Sequence, residues 1–177
     1  MNIKCPYCGH ENILGSDHCE KCLHSFTQKD IPQPTKEKLQ KMIMTERVSD
    51  FISKIPPIIV GPKTSVKEVI ERMQALPTKG CVLVCDEKKK LIGIVSIRDI
   101  LLKVAGIVSE KEIGSYPVER IMTPRPEWLD KDAPLAFALN KMSIGKFRHV
   151  PVLDNGVPIG VVSTRDLIEY LNTKKKK

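Results

Sequence analysis

The sequence predicts an α+β or α/β protein in which two similar units pack as a pseudo-symmetric pair behind a small cysteine-bearing domain. The first observation is an internal repeat: Gly93–Ile100 reads GIVSIRDI, and Gly160–Leu167, 67 residues later, reads GVVSTRDL. The second is an amphipathic-helix pattern ahead of each copy. The third is two C-x2-C pairs near the N-terminus. Because one unit of this length cannot bury a core alone, we expect the two units to pack together.

Each unit contains a helix whose apolar residues share one face. In the segments 66–73 and 135–142 these residues recur at i, i+3, i+4 and i+7, which is typical of an amphipathic helix. Ser65 followed by Glu68 matches a capping box at the start of the first helix. Asp132 is predicted to be the N-cap of the second.

Two strand-like runs follow each of these helices and form a predicted hairpin. The runs are 81–85 and 91–95 in the first unit, and 149–153 and 158–162 in the second. A helix beginning near Arg98 or Arg165 then closes each unit. The order is strand, helix, strand, strand, helix, and the helices can cover one face of each sheet.

The rest of the chain divides at changes in composition. The predicted segments are a cysteine domain 1–27, a linker 28–35, a connecting helix 36–47, the first unit 48–112, the second unit 113–173 and a disordered lysine tail 174–177. The helical pattern of the connecting segment extends to residue 54. Strand alternation places Cys81 and Cys85 on one face as small core residues, and Trp128 is expected in the core or at an interface.

Charge and hydropathy exclude some classes of function. The formal net charge is +8, of which Lys174–Lys177 supply four positive charges. A basic surface favours nucleic acid through counterion release, but no basic stripe lies on a recognisable helix. No apolar run approaches the roughly 18 residues of a membrane span, and the N-terminus lacks a signal-peptide pattern. We therefore expect a cytoplasmic protein without membrane contact.

The cysteines give the strongest chemical signal. The two pairs, separated by ten residues, are Cys5, Cys8, Cys19 and Cys22. In a cytosolic chain such pairs bind metal rather than form disulfides, and four thiolates complete the tetrahedral shell of a structural zinc ion. Because that shell has no free position, three nearby histidines are expected to lie outside it: His10, His18 and His24.

The segment 5–26 also resembles the short zinc-ribbon family. The matching residues are Cys5, Pro6, Cys8, Gly9, Asn12, Gly15, Cys19 and Cys22. The sequence departs from the family at Leu23, where a glycine is usual. Iron is the alternative metal, because four thiolates also suit a rubredoxin-like redox module. Rubredoxins resemble this segment only in the cysteine pairs, which favours zinc.

Residues 48–172 resemble a tandem pair of cystathionine-β-synthase (CBS) domains. The resemblance rests on Met122-Thr123-Pro124, on the segment 148–152 (RHVPV) and on the two Gly-x-x-Ser-x-Arg-Asp phrases. The second unit matches along its whole length. The first departs at 53–55, where Met-Thr-Pro is usual, and at 80–84, where Arg-x-x-Pro-Val is usual. These departures leave the βαββα fold intact but weaken the first ligand site.

The Ser-x-Arg-Asp phrase suits an adenine nucleotide. A carboxylate at a helix start can accept hydrogen bonds from both ribose hydroxyls, while the helix N-terminus and an arginine favour phosphate. The resemblance implies that Asp99 and Asp166 hold ribose and that Ser96 and Ser163 assist. It further implies phosphate contacts from Arg98, Arg148, His149 and Arg165, and an adenine cradle of backbone near Thr123 and Val150.

A purely structural interpretation competes with this one. Ser96 with Asp99 and Ser163 with Asp166 both match a capping box, with aspartate in place of glutamate. A cap explains the serine and the aspartate, but it does not explain why an arginine precedes the aspartate both times. Nucleotide binding accounts for all three residues, with better support on the Asp166 side.

No enzyme signature is visible in the sequence. It has no nucleophile with a base, no Walker loop and no open metal site. We therefore expect a regulatory module that binds AMP, ADP or ATP between the repeats and acts on an unknown protein partner in trans. The CBS resemblance implies a homodimer. The alternatives are a nucleic-acid-associated protein that uses the ribbon and lysine tail, and the rubredoxin-like redox module.

Overall fold

The computed structural model describes residues 2–13, 18–26, 43–76 and 80–174. The predicted linker 28–35, most of the connecting helix and residues 175–177 of the tail lie outside these residues. In the cysteine domain, strands β1 (Asn2–Lys4) and β2 (Glu11–Ile13) form an antiparallel pair.

The first unit has the predicted order of elements. They are β3 (Ile59–Val60), α1 (Val66–Ala75), β4 (Cys81–Cys85), β5 (Leu91–Ser96) and α2 (Ile97–Lys103). β3 pairs parallel with β4, and β4 pairs antiparallel with β5. The two-residue strand β6 (Thr123–Pro124) adds to the outer edge of β5 and completes a four-stranded sheet.

The second unit repeats this arrangement. Its elements are β7 (Leu129–Asp130), α3 (Leu135–Gly145), β8 (His149–Asp154), β9 (Val157–Ser163) and α4 (Thr164–Lys174). The sheet order is β7-β8-β9. Asn155 and Gly156 both have positive φ, 49° and 82°, as a tight hairpin turn requires. The helix α4 reaches Lys174, the first residue of the predicted tail.

Each of the two hydrophobic cores contains a short segment that precedes the other unit in the sequence. Residues 48–52, the first crossing segment, place Val48 and Phe51 in the core of the second unit. Residues 118–122, the second crossing segment, place Val118 and Ile121 in the core of the first unit. The first crossing segment therefore completes the core of the second unit, and the second crossing segment completes the core of the first. The two units are thus joined by packing in both directions.

The predicted helix through residue 54 is wrong beyond Thr45. Residues 43–45 are helical, a bend follows, and Val48–Phe51 forms a 3-10 helix. Val48 and Ser49 donate their N–H groups to the carbonyls of Ala133 and Lys131 at 2.9 and 3.1 Å. These contacts with the second unit replace the bonds that a continuing α-helix would need.

The same contacts overturn the prediction of Asp132 as a helix cap. Pro134 occupies the N-cap position of α3, where no side chain caps the helix. The Asp132 carboxylate instead accepts a hydrogen bond from the Arg47 guanidinium at 2.9 Å, and Leu135 donates its N–H to Glu46. In the first unit, Ser65 does cap α1 by accepting from the Glu68 N–H at 3.2 Å.

Three smaller predictions can be compared with the structure. Cys81 and Cys85 are buried, as expected of core residues. Trp128 is 49% exposed, so the prediction of a core position is wrong and an interface role stays a prediction. In the described part of the chain, no helix combines the length and the apolar character needed to cross a membrane.

Candidate functional site

Two matching turns bring the four cysteines together. Cys5 donates its N–H to the His10 carbonyl and Gly9 donates to Cys5; Cys19 donates to His24 and Leu23 donates to Cys19, all at 2.9 Å. Leu23 has φ 59° and Gly9 has φ 72°. The leucine therefore adopts the left-handed conformation that the family's glycine would supply, at the cost of some backbone strain.

The four sulfurs fit a tetrahedral metal shell. All of them lie within 4.8 Å of one another, and the pairs Cys5–Cys22 and Cys8–Cys19 are each 3.6 Å apart. A zinc ion with Zn–S bonds of about 2.3 Å separates its sulfurs by about 3.8 Å. The described parts of the chain place no histidine in this cluster; His24 stacks on Tyr7 instead, with ring centroids 6.0 Å apart.

Backbone N–H groups near the sulfurs favour ionised thiolates, which are the form that binds a cation. Burial acts to raise the pKa of Cys19, but backbone N–H groups of Cys22 and Lys21 outweigh it and lower the pKa to about 6. A backbone donor from His24 acts to lower the pKa of Cys22, yet burial and the neighbouring sulfurs raise it to about 12. A cation bound between the sulfurs would relieve the repulsion between neighbouring thiolates and favour their ionised form.

The Ser-x-Arg-Asp turn of the second unit lies at a cleft between the units. This Asp166 cleft has a volume of about 240 Å³. Its lining residues come from the segment after the first crossing segment, from β4 and from the second unit: Ser53, Ile55, Pro57, Gly80, Cys81, His149, Val161, Ser163, Arg165, Asp166 and Glu169. Four of the predicted nucleotide-binding residues therefore share one cleft with residues of the first unit.

The Asp166 carboxylate is positioned by the helix cap. Its Oδ2 accepts hydrogen bonds from the Ser163 N–H at 2.8 Å and the Ser163 hydroxyl at 2.6 Å, and the Asp166 N–H donates to Ser163 Oγ at 3.3 Å. No hydrogen bond or ion pair from the described residues reaches its Oδ1. The capping box and a free acceptor oxygen therefore coexist, and the structural role does not exclude ligand binding.

His149 lies where the two units meet. An ideal Cβ built on Gly80 would come within 2.5 Å of the His149 Nε2, so the ring packs directly on the glycine backbone. Burial lowers the pKa of His149; the Asp166 carboxylate opposes this, while Arg148 and Arg165 add to it. At neutral pH the imidazole is uncharged and can donate or accept a hydrogen bond.

The other predicted nucleotide-binding residues are divided between the two units. Arg148 and Arg165 are exposed, and the side chain of Val150 is fully buried in the second core, so only its backbone could contact a ligand. Thr123 lies in β6 beside β5, where it joins Ser96, Arg98 and Asp99 on the first side. The predicted residues therefore form two separate groups, one in each unit.

The Asp99 site consists of Ser96, Asp99, Lys103 and Thr123. Ser96 holds Asp99 Oδ2 through its N–H at 2.9 Å and its hydroxyl at 2.6 Å, as Ser163 holds Asp166. Here, however, the Lys103 ammonium donates to Asp99 Oδ1 at 2.8 Å, with the Thr123 hydroxyl at 3.5 Å. The two sites share a cap but differ in what occupies the second carboxylate oxygen.

Sequence reasoning missed several residues of these sites. Ser53, Ile55 and Pro57 contribute to the Asp166 cleft, and Lys103 contributes to the Asp99 site. The signal for Ser53 and Ile55 was the segment 53–55, which the sequence comparison placed where Met-Thr-Pro is usual, and Pro57 follows that segment. The signal for Lys103 was its i, i+4 spacing from Asp99 on the predicted helix, which favours an ion pair between the two side chains.

A larger groove lies elsewhere on the molecule. It has a volume of about 620 Å³ and is lined by β3, the segment 85–89, and Val157 and Pro158 of the second unit. It contains no residue of either Ser-x-Arg-Asp phrase. The smaller Asp166 cleft is therefore the candidate site, because it contains residues of a Ser-x-Arg-Asp phrase and the larger groove does not.

Comparison with known proteins agrees with this geometry. The CBS domain model matches residues 48–106 and 118–173. The CBS domain-containing protein CBSCBSPB5 of Arabidopsis thaliana is 35% identical over 105 residues, which cover 59% of this chain and 19% of that protein. An uncharacterized 17.7 kDa protein of Acidianus ambivalens is 34% identical over 114 residues, covering 64% of this chain and 66% of the relative.

Two solved structures with similar folds contain AMP. The CBS domain protein PAE2072 from Pyrobaculum aerophilum, complexed with AMP, is 30% identical with a TM-score of 0.61, covering 69% of this chain and 90% of that one. CBSX2 in complex with AMP is 26% identical with a TM-score of 0.60, covering 73% and 98%. The chain spans about a fifth of the length of the Arabidopsis relative. The family match covers both repeats, and the chain belongs to the CBS-domain family as a tandem pair.

Proposed function

We propose that the chain is a regulatory module that binds an adenine nucleotide (AMP, ADP or ATP) in the Asp166 cleft. The observation that carries the proposal is the Asp166 carboxylate, which is fixed by its helix cap yet keeps one oxygen available at a cleft between the units. The AMP complexes of PAE2072 and CBSX2 support the class of ligand. The proposed role is one of binding rather than catalysis.

The polar residues that the sequence predicted for this site each have a proposed role. Asp166 accepts hydrogen bonds from the ribose hydroxyls, and Ser163 keeps its carboxylate in place. The exposed guanidinium groups of Arg165 and Arg148 attract phosphate at the start of α4, where the helix dipole is also favourable. Uncharged His149 offers a hydrogen bond at the junction of the units, and backbone near Val150 and residues 53–57 receives adenine.

Ligand binding in this cleft would act on the packing of the two units. A volume of about 240 Å³ lies below the roughly 300–1,000 Å³ usual for ligand pockets. A nucleotide would therefore have to widen a cleft whose walls belong to both units, and would favour the wider arrangement by its differential affinity. A partner protein bound in trans would respond to that change.

We also propose a homodimer. Residues of α2 and α4 expose apolar side chains, namely Ile97, Leu101, Leu102 and Ile168, each more than half exposed. An apolar surface of this kind is typical of an interface between subunits. Sedimentation equilibrium of the full chain distinguishes a dimer from the 19.9 kDa monomer.

The four-cysteine cluster is proposed to hold a structural zinc ion. Its sulfur spacing supports tetrahedral thiolate coordination, and a shell of four protein ligands leaves no position for substrate. Bound zinc would hold the two cysteine turns together.

Calorimetry of the full chain with AMP, ATP, S-adenosylmethionine and NAD tests the nucleotide proposal. We expect heat with AMP or ATP, and we expect Asp166→Asn to weaken binding by about 10- to 100-fold, because charge-assisted hydrogen bonds contribute about 1.5–3 kcal/mol. Asn can still accept from the Ser163 N–H, so the cap is preserved.

The matched control for this experiment is Asp130→Asn, which removes an exposed carboxylate outside the cleft but keeps an acceptor for the Asp132 N–H. It should bind as wild type does. Equal affinities in the wild type and the Asp166→Asn variant would place the ligand elsewhere, and an absence of heat with all four compounds would reject the proposal.

A further inference from the structure

The two Ser-x-Arg-Asp turns differ at one position that the sequence repeat makes directly comparable. Counting the same number of residues from each phrase, Lys103 of α2 corresponds to Tyr170 of α4. The Tyr170 ring packs edge-on against Phe51 of the first crossing segment, with centroids 4.3 Å apart. Lys103 instead extends its ammonium into the Asp99 site.

Lys103 is held there by two acceptors from different parts of the chain. Its Nζ donates to Asp99 Oδ1 at 2.8 Å and to the Ile121 carbonyl at 2.6 Å. Ile121 is 1% exposed and belongs to the second crossing segment. The ammonium therefore bridges the helix cap of α2 and the segment that closes the first core, a geometry that a freely solvated lysine would not hold.

This arrangement satisfies both oxygens of the Asp99 carboxylate. Ser96 occupies Oδ2 and Lys103 occupies Oδ1, and the Asp99 side chain is only 16% exposed. Burial acts to raise the pKa of Asp99, but the hydrogen bonds from Lys103 and Ser96 outweigh it and the pKa lies below its usual range. The carboxylate is thus ionised and already paired.

A ribose would compete with the ammonium for Asp99 Oδ1, which the Thr123 hydroxyl also approaches at 3.5 Å. The hydroxyls of a ribose are neutral donors, so their hydrogen bonds to the carboxylate would lack the attraction between opposite charges that the ammonium provides. The displaced ammonium would also lose the Ile121 carbonyl. No corresponding cation from the described residues contacts Asp166.

We propose that Lys103 closes the Asp99 site from within, so that each CBS pair binds one nucleotide, on the Asp166 side. This inference rests on the proposed function, since it assigns the occupancy of the same pair of sites. It makes Lys103 a residue that determines stoichiometry: replacing it with a neutral side chain should restore a second nucleotide site.

The test is calorimetric titration of the full chain with AMP, comparing wild type, Lys103→Met, Lys103→Arg and Lys111→Met. Wild type should bind one equivalent, and Lys103→Met should bind two. Lys103→Arg keeps the cation and should still bind one. Lys111→Met removes an exposed lysine outside both sites and should also bind one. A thermal melt of each variant establishes that it is folded.

Second substitutions identify which site each equivalent occupies. Asp99→Asn should remove the equivalent gained by Lys103→Met and leave wild-type stoichiometry unchanged, whereas Asp166→Asn should weaken the original one. One equivalent in both wild type and Lys103→Met would overturn the inference. So would two equivalents in wild type with one lost in Lys103→Met, because Lys103 would then be a phosphate ligand.

The two proposals fail in different ways. If wild type binds no AMP but Lys103→Met gains one equivalent that depends on Asp99, the Asp166 assignment is rejected and the closure by Lys103 stands. If AMP binding depends on Asp166 but Lys103→Met gains no second equivalent, the Asp166 assignment stands and the closure by Lys103 is rejected.

Discussion

At the scale of single residues, His149 shows how a neighbour without a side chain changes the chemistry of a polar group. Gly80 leaves space for the imidazole to pack against its backbone, and the resulting burial lowers the pKa of His149 in spite of the nearby Asp166 carboxylate. In the unfolded chain the histidine titrates near 6.5. The folded state therefore binds this proton less readily than the unfolded state.

The sign of the pH dependence follows from that difference. The contribution of His149 to stability is fully present above about pH 6.5 and is lost as the pH falls towards the lowered pKa of the folded protein. Urea denaturation at pH 7.5 and 5.5 should show a larger loss of unfolding free energy for wild type than for His149→Gln. The other histidines are common to both proteins, so their contributions cancel. Identical losses would show that His149 titrates as it does in the unfolded chain.

At the scale of elements, the crossing segments depend on glycines in the second strand of each hairpin. Gly160 in β9 faces Ile52, where an ideal Cβ would come within 2.9 Å of the Ile52 Cβ. Gly93 in β5 faces Met122, with an ideal Cβ in contact with its Sδ and 2.9 Å from its Cγ. The crossing segments thus pack on the two strands at equivalent places. The neighbour of Gly160 is the rigid, β-branched Ile52, whereas the neighbour of Gly93 is the flexible Met122.

Alanine at these two positions should therefore have unequal effects. Gly160→Ala forces the β-branched Ile52 and its backbone to move, and we expect a loss of about 1–3 kcal/mol of unfolding free energy, typical of an overpacked core. Gly93→Ala should cost less, because the unbranched Met122 thioether can rotate away. Urea unfolding of the two variants measures both values. Equal losses, or a larger loss at Gly93, would contradict this account.

At the scale of the whole molecule, the cysteine domain differs from the CBS pair in what stabilises it. The two CBS cores contain many fully buried aliphatic side chains. Within residues 4–12 and 18–26 of the cysteine domain, the buried side chains are Cys5, Cys19 and Asn12. Two of these three residues belong to the four-cysteine cluster, so we expect the proposed zinc ion to supply much of the folding free energy of this segment.

Metal removal should thus affect one part of the chain only. We expect a strong zinc chelator to raise hydrogen exchange throughout residues 2–13 and 18–26 while β4, β5, β8 and β9 remain protected. Metal analysis before chelation should give one zinc per chain, and a Cys8→Ser variant should behave as the chelated protein does. A visible absorption band in the purified protein would instead indicate iron, and unchanged exchange after chelation would reject a structural metal.

The sequence by itself determined the elements that depend on neighbouring residues along the chain. The helix periodicities, the runs that became β4 and β8, the turn at Asn155 and the cysteine spacing all act over a few residues, so the local pattern was sufficient. The repeat also indicated that Asp99 and Asp166 occupy equivalent places.

Only the tertiary structure decided which distant segments meet. The exchange of crossing segments between the cores, the capping of α3 by Glu46 in place of Asp132, and the hydrogen bond from the Lys103 ammonium to the Ile121 carbonyl all join residues that lie far apart in the sequence. These contacts satisfy backbone groups that local rules would have assigned to nearer partners or left to solvent. The two Ser-x-Arg-Asp phrases are thus alike in sequence and different in chemistry.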